Sequence, residues 1–332
     1  MKFSKVRWGI IGCGDVTEVK SGPAFQKIQN SELAAVMRRT GDFAKDYAER
    51  HGVPKWYDDA DSLINDPEVD VIYIATPPGS HKEYTIKAAR AGKPVYVEKP
   101  MARTFEECQE MIAACEAAGV PLFVAYYRRA QPRFLKIKEL LENNAIGEVR
   151  FVSTTQYQKP SKDVEDSQNL PWRVQPHLSG GGLFFDLASH TLDLLDYLLG
   201  PIKEVKGLAS NQAGYYPAED IVTGTYRFES GVQGVGNWCF SAFEDVDINE
   251  IVGTHGKISF STFSNNPVLL TTANGMEEWS FEPPKHVHQP LVQTIVSELT
   301  GNGGHCPSTG VSGARTNWVM SEMVMNYYKI SK

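Results

Sequence analysis

From residue 6 to residue 125 the chain alternates short apolar runs with longer stretches of helical periodicity. The runs Val6 to Ile11, Leu33 to Met37, Val69 to Ala75, Pro94 to Val97 and Pro121 to Ala125 are mostly β-branched or aliphatic on both faces. Strands of a parallel sheet read this way because helices cover both of its sides. Helical patterns fill the gaps: Asp42 to His51 stops at Gly52-Val53-Pro54, Ser80 to Ala91 at Gly92-Lys93-Pro94, and Thr104 to Ala118 at Gly119-Val120-Pro121. Glycine ends a helix in the left-handed conformation and proline cannot continue it. Thr104 and Glu107 have the spacing of a capping box. The pattern predicts a doubly wound parallel sheet.

A helical stretch from about Arg129 to Glu142 follows, and then the period changes to two in Gly147 to Gln158, Asp220 to Phe228, Val232 to Phe240 and Gly256 to Phe260. Alternation of this kind predicts an antiparallel sheet with one covered face. Two helices are expected with it, from about Leu183 to Leu199 and from about Gly310 to the C-terminus. The strand Val232 to Phe240 carries Val235, Trp238 and Phe240, apolar surface that a monomer is expected to expose in part, and this points to an oligomer.

The composition fits two folded domains and excludes several classes. At 332 residues the chain is about twice the usual domain length. With 42% hydrophobic, 22% charged and 11% aromatic residues it is neither disordered, collagenous nor coiled-coil. A net charge of −7 without a basic run gives no electrostatic case for nucleic acid or an anionic membrane, so the expected partner is a small molecule. Lys2, Lys5 and Arg7 precede no signal-length apolar stretch, and no run of transmembrane length occurs. Cys13, Cys108, Cys115, Cys239 and Cys306 show neither a CxxC pair nor zinc spacing. A cytoplasmic protein with reduced, buried thiols is expected.

Gly12-Cys13-Gly14 follows the first strand at once. Gly12 suits a tight turn, Gly14 lets backbone approach a pyrophosphate, and the amides at Asp15 and Val16 open the next helix toward its charge. The third glycine of G-x-G-x-x-G is replaced by Thr17, which points to a looser strand-helix contact. A glycine turn without ligand is the alternative for this segment taken alone. Where an acidic residue would hold the adenosine ribose, the second strand instead ends Met37-Arg38-Arg39-Thr40. Two guanidiniums suit a 2′-phosphate, so NADP(H) is favoured over NAD(H). A solvated arginine pair is the competing reading.

Two further motifs carry a resemblance. Glu98-Lys99-Pro100 stands at the mouth of the fifth strand, and Gly180-Gly181-Gly182-Leu183-Phe184-Phe185-Asp186-Leu187-Ala188-Ser189-His190 follows far downstream. With Ala75-Thr76-Pro77-Pro78, His81, Tyr127-Arg128-Arg129 and Trp172-Arg173, the sequence resembles the Gfo/Idh/MocA oxidoreductases, relatives of glucose-fructose oxidoreductase and inositol dehydrogenase. The resemblance implies an α/β fold: an N-terminal Rossmann domain over residues 1–126, then an α+β domain over 127–332 with a large open, mainly antiparallel sheet used for dimer or tetramer contacts. It implies cofactor contacts from Thr76, Pro77, His81, Glu98 and Lys99, with Trp172 and Arg173 reaching the cofactor from the second domain. The implied reaction is hydride transfer at a carbinol or carbonyl carbon of a sugar or polyol.

That chemistry needs a group to take the hydroxyl proton and one to stabilise the developing alkoxide. Lys99 can do both. Asp186 and His190, four apart on the expected helix, share a face, so His190 is the expected proton relay with Asp186 orienting it or contacting a substrate hydroxyl. Asp193 lies on the same stripe and is the alternative partner of His190. Tyr127, Arg128, Gln156 and Gln158 are candidates for the substrate cavity. No metal is expected. Two other classes compete: a glycosidase that holds its dinucleotide and acts by transient oxidation, and a dinucleotide-binding sensor without turnover. Retention of Lys99, Asp186 and His190 favours net redox chemistry.

Overall fold

The computed structural model describes residues 2–165 and 169–330, which fall into two units. The first comprises the residues up to Ala102, Glu106–Gln131 and Pro284–Ala314, and the second Arg103–Phe105, Pro132–Pro283 and the residues from Arg315 on. Residues 284–314 thus rejoin the first unit after the second has been built, an arrangement that no single cut in the sequence describes.

The first unit runs β1 (Val6–Ile11), α1 (Asp15–Val19), α2 (Gly22–Lys27), β2 (Ser31–Met37), α3 (Gly41–His51), β3 (Lys55–Tyr57), α4 (Ala60–Ile64), β4 (Val71–Ile74), α5 (His81–Arg90), β5 (Val95–Val97), α6 (Phe105–Ala118) and β6 (Leu122–Val124). Its strands pair in parallel in the order β3-β2-β1-β4-β5-β6. The chain therefore reverses direction across the sheet between β1 and β4, and at such a switch point the loops after the strands diverge and leave a crevice. Trp8, Phe25, Tyr73, Tyr96 and Phe123 fill the core on one side of the sheet. The five expected strands form with slightly shifted ends, and the three-residue edge strand β3 joins them.

The second unit begins with α7 (Pro132–Glu142), β7 (Val149–Tyr157), α8 (Lys162–Glu165), α9 (Pro176–Ser179) and α10 (Ser189–Leu199). It continues through β8 (Ile202–Ser210), β9 (Ile221–Phe228), β10 (Gln233–Cys239), β11 (Val246–Gly253), β12 (Gly256–Phe260), β13 (Val268–Thr272) and β14 (Gly275–Trp279). α11 (Gln289–Thr300) packs in the core of the first unit, and α12 (Gly310–Ile330) ends the described chain, the expected helix's last two residues lying outside it. The sheet order is β14-β13-β12-β11-β7-β10-β9-β8, antiparallel except for the β7 and β10 pair.

Helices α7, α10 and α12 cover one face of this sheet, with Phe134, Leu195 and Met323 packed on Val152, Tyr226, Phe228 and Trp238. Trp238 and Phe240 are buried there, contrary to the expectation of partial exposure: alternation along β10 turns Trp238 inward and leaves Val235 on the other face. The helix expected from Arg129 starts at Pro132, because the residue before a proline is pushed out of the helical region and Gln131 has ψ 139°. Residues Tyr127–Ala130 form a 3-10 turn instead. Among the described residues no helix is long and apolar enough to cross a membrane.

Candidate active site

In the first unit, the end of β1 turns at Gly12, whose φ of +92° only glycine adopts readily. A Cβ there would meet Thr76 Cγ2 at 2.8 Å, so the turn after β1 leaves no room for a side chain beside Thr76. Gly14 differs: a Cβ there would meet nothing nearer than the Gly12 carbonyl at 4.0 Å. Backbone is accessible at Gly14 where the dinucleotide pyrophosphate needs it, and this open position is the structural fit to the cofactor. Thr17, in place of a third glycine, is fully buried and turns its hydroxyl back to the Gly14 carbonyl at 2.7 Å. The expected looser contact is not seen, for the close approach moves to Gly22, where a Cβ would meet Thr17 O at 2.3 Å. Cys13 is buried, and burial pushes its thiol up to about 11.

Arg38 and Arg39 are exposed at the end of β2, with the Arg38 guanidinium 4.7 Å from the centre of the Phe43 ring. Thr76 is half-buried and Pro77 exposed after β4. His81 is fully buried, its ring nitrogens 3.1 Å from Met101 O and 2.7 Å from Thr76 O. Its ring thus fastens the loop after β4 to the segment after Lys99.

Glu98 and Lys99 follow β5. Lys99 is half-buried, and its backbone N–H donates to Glu98 Oε2 at 3.2 Å. Glu98 is buried, accepts from the Tyr73 hydroxyl at 2.5 Å, and faces His288 Nε2 at 3.5 Å. His288 Nδ1 lies 2.9 Å from the Tyr96 hydroxyl, and the Tyr127 ring packs 4.6 Å from the imidazole. Burial raises the Glu98 carboxyl and, helped by the Lys20, Lys99 and Arg128 charges, lowers His288 to about 3. Both shifts oppose ionisation, so the His288 to Glu98 contact is not an ion pair. Arg128 is buried with its guanidinium 5.1 Å from the Tyr127 ring centre.

In the second unit, Phe184–Ala188 is a π-helical turn that leads into α10, where a single α-helix was expected. Such turns insert a residue into the helical repeat. Asp186, in the π turn, is partly exposed and pairs with Arg173 (Nε to Oδ2, 3.1 Å), while His190, the second residue of α10, is 4% exposed and meets the Phe263 ring edge-on at 5.8 Å. Asp193 Oδ1 accepts from the Thr316 hydroxyl at 3.4 Å. Arg173 also lies over the Trp172 ring, 4.6 Å from its centre. Trp172, Arg173 and Asp186 are therefore one assembly.

The three glycines before the turn are each required by close packing. Gly180 (φ +90°) would put a Cβ 2.4 Å from Arg103 O, Gly181 one 2.1 Å from the Phe185 ring, and Gly182 one 2.5 Å from Glu219 O. Gln156 is buried on the helix-covered face of β7, and among the described residues neither of its amide atoms has a hydrogen-bond partner. With Gln158, Phe263 and Ser264 it lines a cleft of about 410 Å³. His288 and Glu219 escaped the reading of the sequence, since no motif marks either.

The glycine turn and the Lys99 loop of the first unit are features of a dinucleotide-dependent oxidoreductase. Residues 6–126 match the oxidoreductase family with an NAD-binding Rossmann fold, and residues 134–259 match the GFO/IDH/MocA C-terminal domain. The chain belongs to the Gfo/Idh/MocA family. It is 41% identical over 307 residues to Oxidoreductase P35 of Formosa agariphila, covering 91% of this chain and 94% of that protein. Aldose-aldose oxidoreductase from Caulobacter crescentus, solved with glycerol, superposes with a TM-score of 0.84 at 27% identity over 98% of each chain. Levoglucosan dehydrogenase in complex with NADH gives 0.85 at 25% identity over 98% and 97%.

Proposed function

We propose that the protein is an NADP(H)-dependent oxidoreductase acting on a carbinol or carbonyl carbon of a sugar or polyol. One observation carries the reading: a backbone cradle left open at Gly14, with Lys99 at the end of β5 in the same parallel sheet. Gly12, Cys13, Gly14, Asp15 and Val16 would hold the pyrophosphate, with Thr76, Pro77 and Glu98 lining the nicotinamide side and Trp172 and Arg173 contributing from the second unit. His81 supports that side from behind. Bound nicotinamide supplies the hydride acceptor or donor.

Lys99 hydrogen-bonds the reacting oxygen and stabilises its charge as the proton leaves. His190 takes or returns that proton, and Arg173, paired with Asp186, aims the carboxylate. Tyr127, Arg128, Gln156 and Gln158 address the other hydroxyls, and the unsatisfied Gln156 amide favours a ligand offering both donors and acceptors. The exposed apolar sheet face supports a homo-oligomer, and four buried free thiols suit a cytoplasmic enzyme.

The test is absorbance at the reduced-nicotinamide band while sugars, inositols and anhydrosugars are offered with NADP⁺ or NAD⁺. Turnover of a neutral sugar or polyol is expected. A glycosidase would release product without net reduction, and a sensor would bind cofactor without any turnover; either result overturns the reading.

NADP(H) preference rests on Arg38. A guanidinium gains a charge-assisted bond with a 2′-phosphate and offers a ribose hydroxyl no acceptor. Bonds of ~1.5 to 3 kcal/mol give roughly 10- to 150-fold preference, lowered by screening at so exposed a site. Arg38→Asp should reverse it. Equal affinity of the wild-type protein for NADH and NADPH at physiological salt would make the arginines surface cations.

A further inference from the structure

We propose that Glu219 is a positioning residue for the Asp186 to His190 segment, a buried carboxyl whose bond to the Gly182 amide fixes where the π turn begins. The proposal rests on the reading of Asp186 and His190 given above. Glu219 is fully buried just ahead of β9. Its two oxygens stand 2.9 and 3.0 Å from the Gly182 N–H, which donates to both, and the Tyr328 hydroxyl of α12 donates to Oε2 at 2.5 Å. One side chain thereby ties together the glycine run, the strand start and the last helix.

The attachment is close-packed as well as hydrogen-bonded: a Cβ at Gly182 would meet Glu219 O at 2.5 Å and the Ala218 Cβ at 3.0 Å, so only glycine lets the backbone lie this near Glu219. The turn follows at Phe184, and His190 comes two residues into α10. A displacement of Gly182 is therefore carried into the segment that holds Asp186 and His190.

The charge state of Glu219 is open to pH. Burial raises it to about 7 against the lowering effect of the Tyr328 and Gly182 bonds. Asp220 next to it accepts from the Gln212 and Ala213 amides at 2.8 and 2.7 Å, and its proximity adds to the upward shift of Glu219. The remaining titratable groups facing it are the hydroxyls of Tyr216, Tyr327 and Tyr328, all pushed up and so neutral through the working range. Ionised Glu219 makes a charge-assisted bond to Gly182, about twice as strong as a neutral one. The segment is held more firmly above pH 7 than below it.

Glu219→Gln keeps the shape and one acceptor but cannot ionise. Expected is a ratio of wild-type to E219Q kcat near 1 below pH 6 that rises about fivefold above pH 8, with KM for cofactor unchanged. Glu219→Ala should lose kcat more strongly, and E219Q should rescue it at low pH. A second readout is independent of turnover: in histidine-labelled protein the His190 ring resonance, assigned with His190→Asn, should show an inflection near pH 7 that E219Q abolishes. A pH-independent kcat ratio together with an unchanged His190 titration overturns the proposal. Loss of the hydride-transfer reading appears differently, as a Lys99→Ala variant with full activity, and leaves the resonance test standing.

Discussion

Lys99 is held from below rather than buried: its backbone N–H rests on Glu98, and Glu98 on Tyr73 and, across a longer gap, His288. Lys99→Ala removes the amine while leaving that support in place, so kcat should fall at least about 100-fold with cofactor binding kept. Near-normal kcat would remove Lys99 from the reaction. His288 makes a separate statement about stability. Its folded value of about 3 lies below the ordinary 6.5, so the folded state binds fewer protons than the unfolded one between these limits. Stability from this residue is present above pH 6.5 and lost as pH falls, by about 2 to 3 kcal/mol between 6.5 and 4.5. Urea unfolding at a series of pH values should show the slope flatten in His288→Gln; an identical slope in both proteins refutes it. Lys99, Gly12 and Gly14 were legible in the sequence because adjacent residues in a motif carry their meaning. His288 was not, since it acquires its role from Tyr96 and Glu98, about 190 residues away along the chain.

The elements that position the site divide the same way. The strands β1, β2, β4, β5 and β6 could be read as apolar runs because both faces of the parallel sheet are covered, whereas β3, β8, β11, β13 and β14 have a polar or half-exposed face, or are too short to show a period. The π turn at Phe184–Ala188 was invisible to a rule that assumes 3.6 residues per turn. The glycines before it stood in the sequence only as part of a motif, and the structure shows what each makes room for: the Arg103 backbone, the Phe185 ring and the Glu219 backbone. Gly181→Ala is the sharpest test. The added methyl would overlap the Phe185 ring, which is 2% exposed and has little room to swing away. A cost of about 1 to 3 kcal/mol is expected for forced overpacking, together with a loss of kcat from the displaced turn. An alanine variant within about 0.5 kcal/mol of wild type would mean that the ring yields and the glycine serves no packing purpose.

For the whole molecule, the uncovered face of the eight-stranded sheet is the largest unexplained feature. β7, β10 and β11 occupy its middle and turn Phe151, Val235 and Ile248 outward, 44%, 40% and 50% exposed, among Ser153, Thr155 and Asn237. Ion pairs flank this centre on both sides, Glu204 with Arg227 on β8 and β9 and Glu250 with Lys257 on β11 and β12. An apolar centre with a charged margin is the anatomy of a protein interface. The size is adequate as well: eight strands about 4.8 Å apart and roughly 20 Å long give on the order of 700 Å² of plan area, close to the ~800 Å² per partner of a stable complex. A second copy of the chain, presenting the same face across a two-fold axis, matches these residues with themselves, so Phe151 and Val235 are each counted twice in the buried centre. Light scattering at micromolar concentration should therefore report a mass well above the 36.9 kDa of one chain. Phe151→Lys with Val235→Lys places like charges at the centre of both copies and should return the protein to a single chain, with NADPH affinity unchanged because neither residue is among the proposed cofactor contacts. A wild-type mass of 36.9 kDa would leave the face as ordinary solvent-exposed sheet.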